Sequence, residues 1–522
     1  MRKFKIFTLL VAVLVILSFG TMASAKSQLV IGVDPDWMTF DPARAYESYS
    51  GMVFDVIYDN LVKFEGRDVT VSPCIATSWQ MSADGKTFTF KLRDDVSFIS
   101  GNKLTSKDVK WSLDRLTRLG GNPSFLVETI VGVDAPDANT VVIRLSAPEV
   151  ALLPKLATMP FGILDSEVVK KHGGSAEKDA SKTDTAEEWL NHNSAGSGPY
   201  ILKRFEINEI VVLEKNPNYW RDVPGADKIV LRAMKDQNTQ LMTVQRGEID
   251  IAWELNEELV KQLKGNKDVK VLQTFTQTLS FMLMNMDPKV GGPVANPTVQ
   301  RAIRHAVDYR GIQAIAGSGA ITPQSIIQKG YMGALSPRDP DFTDRQKAKE
   351  LLKEAGYPNG FDTVLNVPLY KEEGVSTGTM AEKIAADLNA VGIRAKIRTM
   401  ENLVGLEEYR NGEWELGIQG WGPDYPDALN QLAFLPGNYV GLRANWTRDM
   451  NPELYEMGKK AMAELDDKKR EQLLIKIQEI MAVDSPWLVY CQYANQIAVR
   501  ANIENVYYHQ AAMLELDQIV KK

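Results

Sequence analysis

The sequence predicts an α/β protein of two or three domains, on three observations. Short stretches with apolar residues at every second position recur from one end of the chain to the other. Amphipathic stretches of helical period with recognisable caps lie between them, so strands and helices interleave instead of segregating. The chain has 522 residues and is 44% hydrophobic, more than a single core usually serves.

Taken in order, Arg2, Lys3 and Lys5 form a basic start, Ile6 to Phe19 is a short apolar run, and Ala23-Ser24-Ala25 is a small-residue cleavage pattern. Together they read as a secretory signal peptide cleaved after Ala25, because the apolar run is shorter than the ~20 residues of a spanning helix. No cysteine stands at the cleavage site, so a lipid anchor is not indicated and a free periplasmic product is expected. Residues 29–33 are the first strand candidate. Residues 73–115 form the best-defined unit. There Asp84-Gly85 is a turn pair, and Phe88, Phe90 and Leu92 alternate with Thr87, Thr89 and Lys91. Thr105 and Asp108 then stand in capping-box relation ahead of Val109, Trp111 and Leu113. Residues 140–145, 209–213, 228–232, 363–367 and 394–398 are further strand candidates, and the polar run 172–185 reads as a surface excursion. Thr343 and Gln346 suggest a capping box for a helix over 346–355 that ends at Gly356. Ile384, Leu388 and Val391 share one face of a helix over 381–391, and Asp466 caps a last long helix over 468–482.

The formal net charge of −7, carried on a charge-mixed surface, argues against nucleic acid and against an anionic membrane as partners. The two cysteines, Cys74 and Cys491, permit a bridge in an oxidising compartment. Their neighbours Ile75 and Tyr490 are ordinary core residues, which favours two isolated buried thiols.

Gly420-Trp421-Gly422-Pro423-Asp424-Tyr425-Pro426-Asp427 is the sharpest site candidate. Its two glycines and two prolines predict a rigid loop after a strand over 415–418, where open α/β sheets present ligand-binding groups. Trp421 offers a flat apolar wall with Tyr425 beside it, and Asp424 is an acceptor-only carboxylate able to hold an ammonium. An Asx-turn inside the same loop accounts for Asp424 equally well on residue chemistry alone. Asp427 reads as a turn or cap residue. Gly374-Val375-Ser376-Thr377-Gly378 matches the nucleophile elbow of serine hydrolases, but a charged run, Lys371-Glu372-Glu373, separates it from the preceding strand. The four histidines are scattered, and no metal-ligand or phosphate-loop spacing is present, so neither a metal nor a cofactor is expected.

Several segments carry a family likeness in family order. Besides residues 73–115 they are Thr39-Phe40-Asp41-Pro42, Tyr58-Asp59-Asn60-Leu61, Gly196-Ser197-Gly198-Pro199-Tyr200, Asn216-Pro217-Asn218-Tyr219-Trp220 and Gln245-Arg246-Gly247-Glu248-Ile249-Asp250. Residues 299–309, Ala355-Gly356-Tyr357, residues 420–427 and residues 486–490 follow. The chain thereby resembles the dipeptide/oligopeptide-binding branch of the extracellular solute-binding proteins of ABC importers, the bacterial family 5 solute-binding proteins.

The resemblance implies a two-lobed clamp with mixed sheets and a hinge of two crossing segments, near residues 273–283 and 492–501. The first lobe would comprise residues 26–275, with an inserted subdomain around 45–170, completed by 493–522; the second would comprise 276–492. It implies a non-catalytic monomer that binds peptides between the lobes and delivers them to the transmembrane subunits of a permease. Oligosaccharides, opines and metal chelates are alternative solutes of the same fold, and a secreted serine hydrolase is the remote rival. By the resemblance Asp424 holds a peptide amino group and Lys371 stands where an arginine holds the peptide carboxylate. The loop carrying Phe40 lies at the cleft, where Phe40 would cover a ligand. A lysine there is a point charge instead of a bidentate fork, which weakens the case for dipeptide selectivity. N-terminal sequencing of the exported protein is expected to begin at Lys26; retention of Met1 in a membrane fraction would refute the signal-peptide reading.

Overall fold

The structure, a computed structural model, describes residues 27–64, 69–509 and 513–522. The signal-peptide expectation for residues 1–25 lies outside them. One mixed sheet of ten strands runs through the molecule. Its order is Ile393–Glu401, Phe361–Leu369, Leu416–Trp421, Val269–Met284, Trp487–Arg500, Ile251–Ala252, Gln28–Val33, Lys228–Ala233, Ile210–Lys215 and Tyr200–Glu206. The two longest strands sit at its middle. Val269 to Phe275 pair antiparallel with Arg500 to Ala494, and Leu279 to Leu283 pair with Gln492 to Trp487, with the register broken between Phe275 and Leu279. Each end of this pair belongs to a different lobe of the two-lobed clamp, with its own apolar core. One core gathers Leu29, Ile31, Met52, Leu213 and Ile251; the other gathers Met284, Ile303, Leu365, Ile384 and Ile418.

A four-stranded antiparallel sheet, in the order Ala76–Met81, Thr87–Leu92, Thr140–Leu145 and Ile130–Asp137, forms a separate layer. The period-2 pattern of residues 87–92 does what it predicts, with Phe88, Phe90 and Leu92 buried. Helix Ser106–Leu119 packs on this sheet, and its Asp108 carboxylate accepts from the Thr105 N–H at 3.0 Å and the Thr105 hydroxyl at 2.9 Å. The apolar core under this layer is continuous with side chains of Phe281, Tyr425 and Trp487, so the layer leans on the opposite lobe.

The helix expected over 346–355 is Arg345–Glu354, and its cap is Asp344, which accepts from the Lys347 N–H at 2.8 Å. A carboxylate one residue later displaces the expected Thr343, whose hydroxyl donates to the Val307 carbonyl instead. Asp466 caps the helix Asp467–Val483 as expected. Cys74 and Cys491 are both buried free thiols. Among the described residues, no helix is long and apolar enough to cross a membrane.

Residues 172–185 are not merely a surface excursion. Their Asp184 meets Arg115, which is fully buried. The guanidinium donates to both oxygens of Asp41 at 2.7 and 2.6 Å and to both of Asp184 at 2.8 and 2.9 Å. Burial alone would raise the Asp184 carboxyl, but the hydrogen bonds and charge of Arg115 hold it below its usual range. One side chain thus ties the Thr39-Phe40-Asp41-Pro42 loop, helix Ser106–Leu119 and the 172–185 run together. Removing one partner of such a group strands buried charge, typically at a cost of about 3–5 kcal/mol. Arg115→Met is expected to lower the chemical-denaturation stability by about that amount, and Arg115→Lys to recover only part of it, because an ammonium cannot make the double fork.

Candidate ligand-binding cleft

Between the lobes, over the break in the central strand pair, lies a cavity of about 400 Å³. Tyr46, Tyr49, Trp253 and Glu254 line it from the first lobe, Gln277 and Thr278 from the break, and Lys371, Glu372, Glu373, Asp424 and Tyr425 from the second lobe. A smaller cavity of about 240 Å³ lies beneath helix Ser48–Ile57, lined by Asp55, Lys63, Arg221 and Asp517 among others. The larger one receives side chains from both lobes, which is the geometry a clamp requires.

The Asp424 loop begins later than expected. Its glycines do not end the strand, because Gly420 and Trp421 still pair with Ser280 and Leu279. The Tyr370 hydroxyl secures that extension by accepting from the Gly420 N–H at 2.7 Å and donating to Gln419 Oε1 at 2.8 Å. Gly420 leaves room for the Glu372 carboxylate: a Cβ there would come within 2.3 Å of Glu372 Oε2 and would displace that side chain. Asn430 then braces Asp424 from both sides, accepting from its backbone N–H at 3.1 Å and donating to Oδ2 at 2.9 Å. Tyr439 donates to the same oxygen at 3.1 Å, and the Tyr46 hydroxyl donates to Oδ1. Asp427 is the cap residue it was expected to be, accepting from the Leu429 N–H at the start of the 3-10 turn Ala428–Phe434.

The other expected residues divide. Lys371 and Tyr425 line the cavity, and the Lys155 ammonium lies 5.3 Å from the centre of the Tyr425 ring. Trp421 stands behind the loop, its indole edge-on to Phe434 at 5.5 Å, and is not among the lining residues. Phe40 corrects the expectation that it covers a ligand. It is fully buried in the core of the first lobe, 4.5 Å from Phe205 and 5.9 Å from Phe54 between ring centres, because the Asp41 turn points it inward. Ser376 caps helix Thr377–Asn389, its Oγ accepting from the Gly378 N–H, with an unstrained φ of −65°. A nucleophile elbow requires a sharp, strained turn, which this is not.

Sequence reasoning passed over Tyr46, Tyr49, Glu254, Gln277, Asn430 and Tyr439. Glu254 follows the short strand Ile251–Ala252 by two residues, a position at a strand end that could have flagged it. Tyr46, Tyr49 and Gln277 reach the cavity only through the tertiary fold, while Asn430 and Tyr439 reach Asp424 from the chain that follows its loop.

The cleft is acidic. Lys371 is the one cation among the described lining residues, against Asp36, Glu254, Glu372, Glu373 and Asp424. Burial, with Glu254 nearby, pushes Glu372 up to about 8. Burial, then Glu254 and Glu372, pushes Glu373 well above the ordinary range. Glu254 rises to about 7, raised by burial and eased back by a hydrogen bond from the Tyr49 hydroxyl. These acids bind protons more tightly folded than unfolded, so the fold loses stability as pH rises from the ordinary glutamate value of 4.5 through about 8. Glu372→Gln is expected to melt above the wild type at pH near 8, with the gap closing towards 4.5. An unchanged gap across that range would remove Glu372 from the titrating set.

Known proteins resemble the chain over nearly its whole length. It is 26% identical over 489 residues to a probable D,D-dipeptide-binding periplasmic protein of Escherichia coli K12, covering 92% of each chain. It is 27% identical over 480 residues to a glutathione-binding protein of Escherichia coli O1:K1, covering 90% of each. Among solved structures, a Helicobacter pylori periplasmic binding protein in complex with the peptide STSA superimposes with a TM-score of 0.78 at 25% identity, over 95% of this chain and 98% of that one. Residues 70–440 match the family described as bacterial extracellular solute-binding proteins, family 5 Middle. That match spans well over half of the sequence, and the chain belongs to the family 5 bacterial extracellular solute-binding proteins.

Proposed function

We propose that this protein is the periplasmic binding component of an ABC importer, taking short peptides by their free amino end and handing them to the permease. The observation that carries the reading is Asp424, a carboxylate fixed by Asn430 and Tyr439 and facing a cavity that both lobes line. Its remaining acceptor capacity suits a primary ammonium. The cavity volume of about 400 Å³ lies in the lower part of the ~300–1,000 Å³ span of small-molecule sites, which favours a short ligand. The acidic lining favours ligands that bring positive charge, and Lys371 offers a ligand carboxylate the one cation among the described lining residues. Relatives named for dipeptide and glutathione binding support a peptide, and the one named periplasmic supports that compartment; cleavage after Ala25 belongs to the same reading and rests on the sequence pattern alone.

The lobes divide at residues 275/276 and 492/493 in this reading, supported by the break in strand pairing between Phe275 and Leu279. The first lobe is 26–275 with the subdomain around 45–170 and the tail 493–522. The protein acts as a monomer and catalyses nothing, Ser376 serving as a helix cap. Ligand binds the open cleft, and its greater affinity for the closed form shifts the lobe equilibrium towards the state that docks on the permease.

Calorimetry with trialanine and N-acetyl-trialanine tests the amine site. Truncating one partner of a desolvated charge pair costs on the order of 2–5 kcal/mol, so Asp424→Ala is expected to weaken trialanine by roughly 30-fold or more. The acetylated peptide lacks the charge and is expected to lose far less. Equal losses would make Asp424 a loop-structure residue. A wild type that ignores both peptides but carries a sugar, opine or chelate in native mass spectrometry would replace the peptide with that solute.

A further inference from the structure

Asp424 receives hydrogen bonds from both lobes, and the cross-lobe one comes from a residue outside the amine-binding reading. We propose that Tyr46 is an interlobe latch, whose phenol donates to Asp424 only when the cleft is shut and so sets how readily the lobes close.

Tyr46 moves with the first lobe. The Asp41 carbonyl accepts from the N–H groups of Arg44 and Ala45 at 3.0 and 2.9 Å, and the Asp41 side chain, itself gripped by Arg115, accepts from the Ala43 N–H at 3.0 Å. Immediately after Tyr46, helix Ser48–Ile57 buries Tyr49, Met52 and Val53 in the first-lobe core. The Tyr46 ring rests edge-on against Phe125 at 5.5 Å, which aims its hydroxyl across the cleft. Asp424 moves with the second lobe, because its loop leaves strand Leu416–Trp421, which pairs with Leu279 to Met284. The bond between them therefore spans the hinge and exists only in the closed form.

Closure makes this bond matter. A carboxylate has about four acceptor sites, and removing water from one without replacing its donor is unfavourable. Asn430 and Tyr439, both on the same lobe as Asp424, serve Oδ2. The Tyr46 hydroxyl serves Oδ1, so it replaces water that closing expels. Burial and the Asp424 charge both push the Tyr46 phenol upward, keeping it a protonated donor at any physiological pH. One acceptor direction on Oδ1 stays open for a ligand, so latch and ligand act together instead of competing.

Single-molecule energy transfer between dyes on the two lobes of the ligand-free protein tests the proposal. A hydrogen bond to a charged group shifts an equilibrium by about tenfold or more. Tyr46→Phe, which keeps the ring on Phe125, is expected to lower the closed-to-open ratio by about tenfold at an unchanged melting temperature. Adding Tyr46→Phe to Asp424→Ala is expected to lower the ratio no further than Asp424→Ala alone. An unchanged ratio in Tyr46→Phe, effects that multiply in the double variant, or a wild type with no closed population would each overturn the latch. The readout uses no ligand, so it stands or falls separately from the comparison of free and acetylated peptides that tests the amine site.

Discussion

Strands Val269–Met284 and Trp487–Arg500 pair through the whole width of the molecule, and their pairing is interrupted between Phe275 and Leu279. A continuous ladder would weld the lobes into one rigid plate, and two unpaired tethers would leave them unoriented. The interruption lies between those extremes. Side-chain amides serve the backbone groups it frees: Gln492 Nε2 donates to the Thr276 carbonyl at 2.8 Å and Gln328 Nε2 to the Gln277 carbonyl at 2.9 Å. Buried backbone carbonyls need partners, and long amide side chains can keep contact through a rotation that a strand ladder could not follow. The same break brings Gln277 and Thr278 to the floor of the cleft, so the joint and the binding surface are one place.

Acids in the core and acids half-buried at the cleft are treated in two opposite ways. Asp41 and Asp184 share a buried guanidinium that meets all four of their oxygens, leaving no capacity for anything else. Glu254, Glu372 and Glu373 converge at the cleft with a single lysine among the described lining residues, and desolvation drives their proton affinity up. The first arrangement fixes a structure because its charges are matched internally. The second leaves its acids unmatched, so they hold their protons more tightly and cost stability as they ionise.

Much of the fold was legible because it is written in local patterns. The alternation of Phe88, Phe90 and Leu92, the Thr105–Asp108 box and the Asp466 cap each depend on neighbours in sequence, and each forms. Thr343 misled because Asp344 beside it is an equally good cap, and local chemistry cannot choose between adjacent acceptors. Within the site, Asp424 and Tyr425 stood out through the glycines and prolines around them, and the structure brings both to the cavity. Phe40 carried the same kind of loop signal yet faces inward, since the direction of a side chain at a turn is decided by what packs beneath it. Tyr46 comes from 378 positions away to reach Asp424, and no pattern of spacing encodes a meeting of that kind.

The ten-stranded sheet has its free margins at Ile393–Glu401 and Tyr200–Glu206, on opposite flanks of the molecule. An open strand margin is a template on which another chain can add itself. Here the first margin exposes Arg394, Lys396 and Arg398 at alternate positions, and the second exposes Lys203 and Arg204 beside an irregularity in its register. A second copy approaching the first margin edge to edge would have to bury charged side chains, among them the Arg394–Asp362 and Arg398–Glu408 ion pairs, and at the second it would have to follow a ladder that is out of step. The two places where the backbone would otherwise invite another strand are thereby made unfavourable for one.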